Sequence, residues 1–111
     1  NVVSVVQGVD AIEAYCTAAR TAGFDKIVLI NVKPDAAFQN TWQTGVWDTV
    51  NTEIDGRWAG FADALVDLRL ITEIQNPLDA TYFQADTVHL TAAGYALVAA
   101  AVKTAVAAVV A

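Results

Sequence analysis

Residues that carry nucleophilic or metal chemistry are scarce in this sequence. Its 111 residues include one histidine, one cysteine and one serine, and no methionine. A single cysteine excludes a disulfide within the chain, and the position of Cys16 in a predicted helix favours a buried small hydrophobe over a nucleophile. One histidine and one cysteine are too few good ligands for a zinc site. We therefore expect no intrachain disulfide, no metal and no cofactor.

Positive charge is equally scarce. Six lysines and arginines stand against twelve aspartates and glutamates, which gives a formal net charge of −6. Binding of nucleic-acid phosphates depends on clustered Lys and Arg, so we expect no nucleic-acid partner. Apolar residues make up 56% of the chain, above the usual share of about 45–50%. Length and composition therefore predict one folded domain, residues 1–111, rather than disorder.

The N-terminal residues can be compared with a signal peptide, and the C-terminal residues with a membrane span. Asn1 to Val3 lack the basic region and cleavage pattern of a signal peptide, so we expect none here and no compartment is indicated. Residues 92–111 are long enough for a membrane span. Half of them are alanine and Lys103 lies in the middle, which favours a helix of a soluble domain over a span. The apolar face of that helix would pack through Leu97, Val98, Ala101, Val102, Ala105 and Val109.

Hydrophobic spacing and capping residues predict alternating helices and strands. Apolar residues three and four apart indicate a helix, and a short continuous apolar run indicates a strand covered on both faces. Residues 1–9 are apolar and β-branched, which is compatible with either a strand remnant or a loop. The predicted elements are a helix at 10–23 opened by an Asp10–Glu13 capping box, strands at 27–30 and 66–71, and helices at 47–65 and from 92 to about 109. This order is typical of a parallel α/β fold.

A polar loop at residues 35–46, with Phe38 and Trp42, follows the first predicted strand. Loops at the carboxyl ends of parallel strands are where α/β folds bind their ligands. Two interpretations stay open for this loop. It is either a substrate-covering loop with aromatic walls or a surface excursion whose aromatic side chains are tucked beneath it.

The only histidine, His89, follows Asp86 by three residues and directly precedes a predicted helix start. Thr91 is placed to cap that helix by accepting from its first free backbone N–H groups. Capping fixes where the chain enters the helix, so Asp86 and His89 should lie on a short, defined turn. An imidazole whose tautomer is set by an acidic partner is what a general base requires.

The pattern Asp-x-x-His-Leu-Thr-x-x-Gly-Tyr at residues 86–95 resembles the last conserved block of the SGNH/GDSL-type hydrolases, a family of serine esterases and acylhydrolases. Tyr15 to Leu29 is similar to the helix and strand that precede a proline-containing loop in that family, and Pro34 falls at that proline. Asn51 to Ile54 and Trp58 to Leu65 are similar to its next helix. The resemblance covers nearly the whole chain, but only as the C-terminal half of such an enzyme.

The resemblance implies a flavodoxin-like three-layer α/β/α fold with a parallel sheet, present here as a partial version. It implies that His89 takes the proton of a serine nucleophile and that Asp86 holds the imidazole through its other ring nitrogen. The Gly-Asp-Ser block of the family is absent. Ser4 reproduces the separation of four between that serine and a glycine, although Val3 stands where the block has Asp. Asn1 matches the oxyanion-binding Asn of the Gly-x-Asn block, although Val2 replaces the Asp that usually follows.

Three functional hypotheses follow. The chain is the C-terminal portion of an SGNH/GDSL-type esterase whose nucleophile lies elsewhere, or a minimal esterase that uses Ser4, and either would act on a small-molecule ester. The third is a catalytically incomplete domain that serves binding or assembly. Two strands make a poor sheet, so we also expect either a homodimer through the sheet edge or pairing with an N-terminal segment.

Overall fold

The computed structural model describes residues 4–37 and 41–111. Six longer elements follow one another along the described residues, with three helices and two strands preceding the long C-terminal helix. They are α1 (Val5–Thr21), β1 (Val28–Ile30), α2 (Thr41–Thr44), α3 (Val46–Asp55), β2 (Ala64–Val66) and α4 (Ala92–Val110). Short 3-10 helices lie at Trp58–Gly60, Leu68–Leu70 and Thr72–Ile74.

Helix α1 begins five residues earlier than the spacing predicts, so the expected start at Asp10 is wrong. The expected strand remnant or loop is wrong over residues 5–9, and its part at residues 1–3 lies outside the described residues. The reason is a capping box formed by Ser4 and Gln7. The Ser4 hydroxyl accepts from the Gln7 N–H at 3.1 Å, and the Gln7 side chain accepts from the Ser4 N–H at 3.0 Å. Asp10 lies inside the helix, where its carboxylate accepts from Arg57 at 2.7 Å.

The end of α1 follows its sequence. Gly23 has a φ of +107°, a region that favours glycine. Its N–H donates to Arg20 O and the Phe24 N–H donates to Ala19 O, each at 3.0 Å. These two bonds are those of a Schellman motif, and they satisfy carbonyls that the helix leaves free. The predicted helix end at Gly23 is therefore confirmed.

Strands β1 and β2 pair in parallel, with Val28 opposite Ala64 and Ile30 opposite Val66. A mixed α/β architecture with a small parallel sheet is therefore confirmed, and the predicted first strand is present in shortened form. The prediction of a second strand at 66–71 is wrong, because the strand ends at Val66. Asp67 then accepts from the Arg69 backbone N–H at 3.0 Å, which caps the 3-10 helix that replaces the expected strand.

Helix α3 ends at Asp55, so the expected continuous helix over residues 47–65 is also wrong. Gly56 is its C-cap and donates its N–H to Thr52 O at 3.2 Å. Glycine in a helix interior is less favourable than Ala by up to about 1 kcal/mol, and the helix ends here, so Gly56 does not lie in its interior. Trp58 starts a 3-10 helix that leads into β2.

Two apolar clusters form the core, and alternate residues of β1 reach different ones. Val28 packs against the larger cluster, whose buried members are Val66, Leu68, Ile74, Phe83 and Leu90. Ile27 and Leu29 pack against the smaller cluster, whose buried members are Cys16, Phe61 and Ala62. Burial raises the pKa of the Cys16 thiol, which fits the predicted role of a buried hydrophobe.

Helix α4 contributes one face to the larger cluster. The contacts are made by the partly buried residues Leu97, Val98, Ala101, Val102 and Ala105. Lys103 is exposed, as expected. Among the helices of the described residues, α4 is the one that by length and composition could cross a membrane.

The apolar surface of the molecule is incompletely covered. Its accessible surface is 6655 Å², whereas a folded monomer of 11.7 kDa is expected to expose about 5,900 Å². Large apolar side chains account for part of the excess, with Tyr15 and Leu70 each 78% exposed and Ile30 on β1 44% exposed.

Candidate active site

The segment with the only histidine stands on two buried side chains. Phe83 and Leu90, each 2% exposed, form an isolated antiparallel bridge. The Gln84 N–H donates to His89 O at 2.8 Å, and the Thr91 N–H donates to Tyr82 O at 2.9 Å. The residues between these bonds therefore form a closed turn anchored at both ends in the larger cluster.

Thr91 caps α4 as predicted. Its hydroxyl oxygen accepts from the Gly94 N–H at 3.3 Å, and its O–H donates to Thr81 O at 2.7 Å. Gly94 is buried, and a Cβ at this position would lie 2.5 Å from Tyr82 O. The Thr-x-x-Gly spacing thus has a steric reason, because only glycine lets the helix start approach the chain that leads into the turn.

Asp86 builds the turn and holds the histidine ring with different oxygens. Its Oδ1 accepts from the backbone N–H groups of Val88 and His89, each at 2.9 Å. Its Oδ2 lies 2.5 Å from His89 Nδ1. These contacts, the histidine ring first and the two backbone groups next, lower the pKa of Asp86 to about 2. Since an ionised carboxylate only accepts, the shared proton is on Nδ1.

The pair is open to solvent. The side chain of His89 is 60% exposed and that of Asp86 is 45% exposed. No hydrogen bond to His89 Nε2 is present within residues 4–37 and 41–111. With Nδ1 protonated, Nε2 is the basic nitrogen of the neutral ring, so this arrangement can accept a proton from an approaching hydroxyl group.

A loop that follows β1 contacts the turn. This contact was not predicted from the sequence. Lys33 Nζ donates to Val88 O and lies 5.3 Å from the centroid of the Phe83 ring. The Ala36 N–H donates to Thr87 O at 3.2 Å. The one signal in the sequence was the position of this loop at the carboxyl end of a parallel strand.

Asn51 of α3 fixes the start of that loop. Its side-chain oxygen accepts from the Val32 N–H at 2.9 Å, and its side-chain nitrogen donates to Val32 O at 2.7 Å. Asn51 is fully buried, and Asn31 nearby is 5% exposed. Asn31 accepts from the Leu68 N–H at 2.7 Å and donates to Asp67 at 2.8 Å, which ties the loop to the end of β2.

Of the remaining predicted site residues, Ser4 is described and is not hydrogen-bonded to the pair. Ser4 is engaged as the N-cap of α1, and no hydrogen bond joins it to His89, although both residues are described. Asn1 lies outside the described residues. So do Phe38 to Asn40 of the expected covering loop, and its aromatic walls stay a prediction.

Comparison with known proteins gives no match. No protein-family model, no curated protein and no solved structure is similar to the chain at a significant level. Within the described ranges, no group of three or more His, Cys, Asp or Glu side chains is arranged to hold a metal ion. The geometry of Asp86 and His89 is therefore the observation on which a functional hypothesis can rest.

Proposed function

We propose that this chain is an ester hydrolase domain of the SGNH/GDSL type, in which Asp86 and His89 are two members of a Ser-His-Asp triad. The observation that supports this proposal is the 2.5 Å contact between Asp86 Oδ2 and His89 Nδ1 on a ring that is 60% exposed. A buried or misdirected ring could not serve as a general base for an external substrate.

The chemistry assigned to the pair is acyl transfer. His89 Nε2 takes the proton of a serine hydroxyl while the serine oxygen attacks the ester carbonyl carbon. The resulting imidazolium is stabilised by the Asp86 carboxylate and then gives its proton to the leaving alcohol, which leaves an acyl-serine. A water molecule next loses a proton to Nε2 and attacks the acyl carbon. Release of the carboxylic acid returns the serine hydroxyl and the neutral ring.

Two sources of the serine are compatible with this chemistry. Ser4 is the only serine of the chain. Its hydroxyl caps α1 and is not hydrogen-bonded to His89 of the same chain, so it would serve His89 of a second copy in a dimer. The alternative is a serine on a polypeptide segment outside these residues. In the second case, we propose that β1 and β2 belong to a larger flavodoxin-like parallel sheet with helices on both faces. The two clusters, which take alternate side chains of β1, support that extension.

The test is hydrolysis of p-nitrophenyl acetate by the 111-residue chain. His89→Ala removes the base, and Ser4→Asn removes the hydroxyl nucleophile while keeping a residue that caps helices well. Loss of the rate in both variants supports a complete esterase that uses Ser4. A rate that is unchanged in His89→Ala contradicts the proposal.

An inert chain calls for a second arm. If extension with any upstream coding sequence produces a rate that disappears in His89→Ala, the serine lies on that added segment. A rate that the extended protein keeps in His89→Ala argues against His89 as the base. Circular dichroism of each variant shows whether the fold is retained.

A non-enzymatic role is the second candidate, because large apolar side chains are exposed. Tyr15, Phe24 and Leu70 are 78%, 66% and 78% exposed, respectively. In this alternative the chain is a catalytically incomplete domain that serves binding or assembly, as a homodimer or with another segment. A concentration-dependent mass in sedimentation equilibrium, together with an inert extended protein, favours it over the esterase.

A further inference from the structure

The turn that carries the Asp–His pair contains a backbone conformation that must be held from outside. Thr87, between the two residues, has a φ of +61°, and no other described residue except glycine has a positive φ. Left-handed backbone is unfavourable for a β-branched residue, and such outliers persist where surrounding contacts over-determine them.

Local bonds stabilise one side of this residue. The Thr87 N–H donates to Gln84 O at 2.9 Å, and its hydroxyl donates to Asp86 O at 2.6 Å. These bonds link neighbours along the chain and would be available in several turn geometries. They do not by themselves fix where the His89 ring stands relative to the core.

Contacts from the loop after β1 supply that anchor. The Ala36 N–H donates to Thr87 O, and Lys33 Nζ donates to Val88 O, so two consecutive carbonyls of the turn are bound by one loop. The Lys33 stem is partly buried and its ammonium faces the ring of Phe83, which lies under the turn. Burial lowers the pKa of Lys33, opposed by the carboxylates of Asp35 and Asp86.

We propose that Lys33 is a positioning residue for His89, acting through the Val88 carbonyl to keep the turn in the conformation in which Asp86 meets Nδ1. The catalytic meaning of this role rests on the proposed esterase function. The positioning itself does not, because it can be measured on the free protein without a substrate.

The variants separate the charge and donor of Lys33 from its packing. Lys33→Met keeps an unbranched stem over Phe83 and removes the ammonium. Lys33→Arg keeps a positive donor of similar reach. The readouts are the exchange rates of the Val88 and His89 amide protons, both bonded to Asp86 Oδ1, and the resonance of the proton between His89 Nδ1 and Asp86.

We expect Lys33→Met to speed exchange of both amides about tenfold, since a hydrogen bond from a charged donor is lost, and to broaden the Nδ1 proton resonance. Lys33→Arg should restore both signals, and the Val9 amide in α1 should be unchanged. The proposal is overturned if Lys33→Met leaves the turn signals unaltered, if Lys33→Arg fails to restore them, or if the Val9 amide changes as much as the turn. Absence of ester hydrolysis both in the 111-residue chain and in its extended form would sink the proposed function while leaving these spectra to decide the role of Lys33.

Discussion

The Asp86–His89 turn and the two-stranded sheet differ in how completely their groups are partnered. In the turn, Asp86 alone accepts two backbone hydrogen bonds and contacts the His89 ring. The loop after β1 donates to two backbone carbonyls of the same turn. In the sheet, the described residues contribute two strands of three residues each, and Ile30 on β1 is 44% exposed.

This difference in partnering reflects which contacts each region depends on. The turn depends on hydrogen bonds between close neighbours in sequence and on one loop, so it can form once Phe83 and Leu90 are buried. Covering a sheet requires many contacts from other elements on both faces and at both edges. The Asp86–His89 contact can therefore be present where the sheet around it is only partly covered.

We expect the largest effect on kcat from Asp86→Asn, which should change how the His89 ring is held while keeping the fold of the turn. Asp86→Asn keeps an oxygen for the two backbone bonds, but its amide would favour the wrong tautomer of His89. Wherever a His89-dependent ester rate is observed, we expect kcat to fall about 10⁴-fold. Urea unfolding should show only a small loss, because the pair is exposed and solvent screens its contribution to stability. A kcat within tenfold of the parent would show that Asp86 does not orient the ring.

The next effect removes the support that both regions share. Phe83→Ala takes the largest fully buried side chain from beneath the turn, and we expect a loss of about 3–5 kcal/mol in the free energy of unfolding. Phe61→Ala makes the same chemical change in the smaller cluster, where we expect the lower end of that range. Urea denaturation measures both, and equal losses would contradict the ranking of the two clusters.

A smaller loss is expected where α3 holds the loop after β1. Asn51→Ala removes both bonds to the Val32 backbone from a fully buried position, which should cost about 1–3 kcal/mol in unfolding free energy. Asn51→Asp would place a carboxylate oxygen against Val32 O at a fully buried position, so at neutral pH it should lose at least as much as Asn51→Ala. A loss below about 0.5 kcal/mol in Asn51→Ala would show that the loop is held by other contacts.

Acid should weaken the turn as the Asp86 carboxylate is protonated. The pKa of Asp86 is lowered to about 2, from about 3.9 for an unfolded aspartate. A depressed carboxyl pKa stabilises the fold above the unfolded value, and this contribution is lost as the pH falls through about 2. An NMR titration of the Asp86 carboxyl carbon should show that midpoint, and His89→Ala should raise it. A midpoint near the unfolded value in the parent would contradict the contact.

The smallest effect is expected on the uncovered apolar surface. Leu70 is 78% exposed, so Leu70→Gln should change the unfolding free energy by less than about 0.5 kcal/mol. The measurement is urea denaturation at two protein concentrations. A larger loss that grows with concentration would show that a second copy covers this surface, which favours assembly over catalysis.

Local rules predicted the parts of the fold that local residues determine. The cap at Thr91, the helix end at Gly23 and the first strand all follow from residues adjacent to them. Three predicted boundaries failed for equally local reasons. Ser4–Gln7 forms an earlier capping box, Gly56 ends α3, and Asp67 caps a 3-10 helix where the second strand was expected. A competing turn or cap signal decided the outcome in each case.

The site was predictable only in part. The spacing of Asp86 and His89 before a capped helix indicated a turn that brings them together. The contact from Lys33 was not predictable, because it joins residues 55 positions apart and depends on where the loop after β1 lies in space. The same holds for Asn51, which reads as a polar residue on an amphipathic helix but is fully buried against Val32.

The most direct test observes the ring nitrogens of His89 in ¹⁵N-labelled protein, in the neutral form of the ring. We expect a protonated Nδ1 with a low-field proton shared with Asp86 and an unprotonated Nε2, and we expect Asp86→Asn to abolish this pattern. A ring that carries its proton on Nε2, or one that Asp86→Asn leaves unchanged, would contradict it.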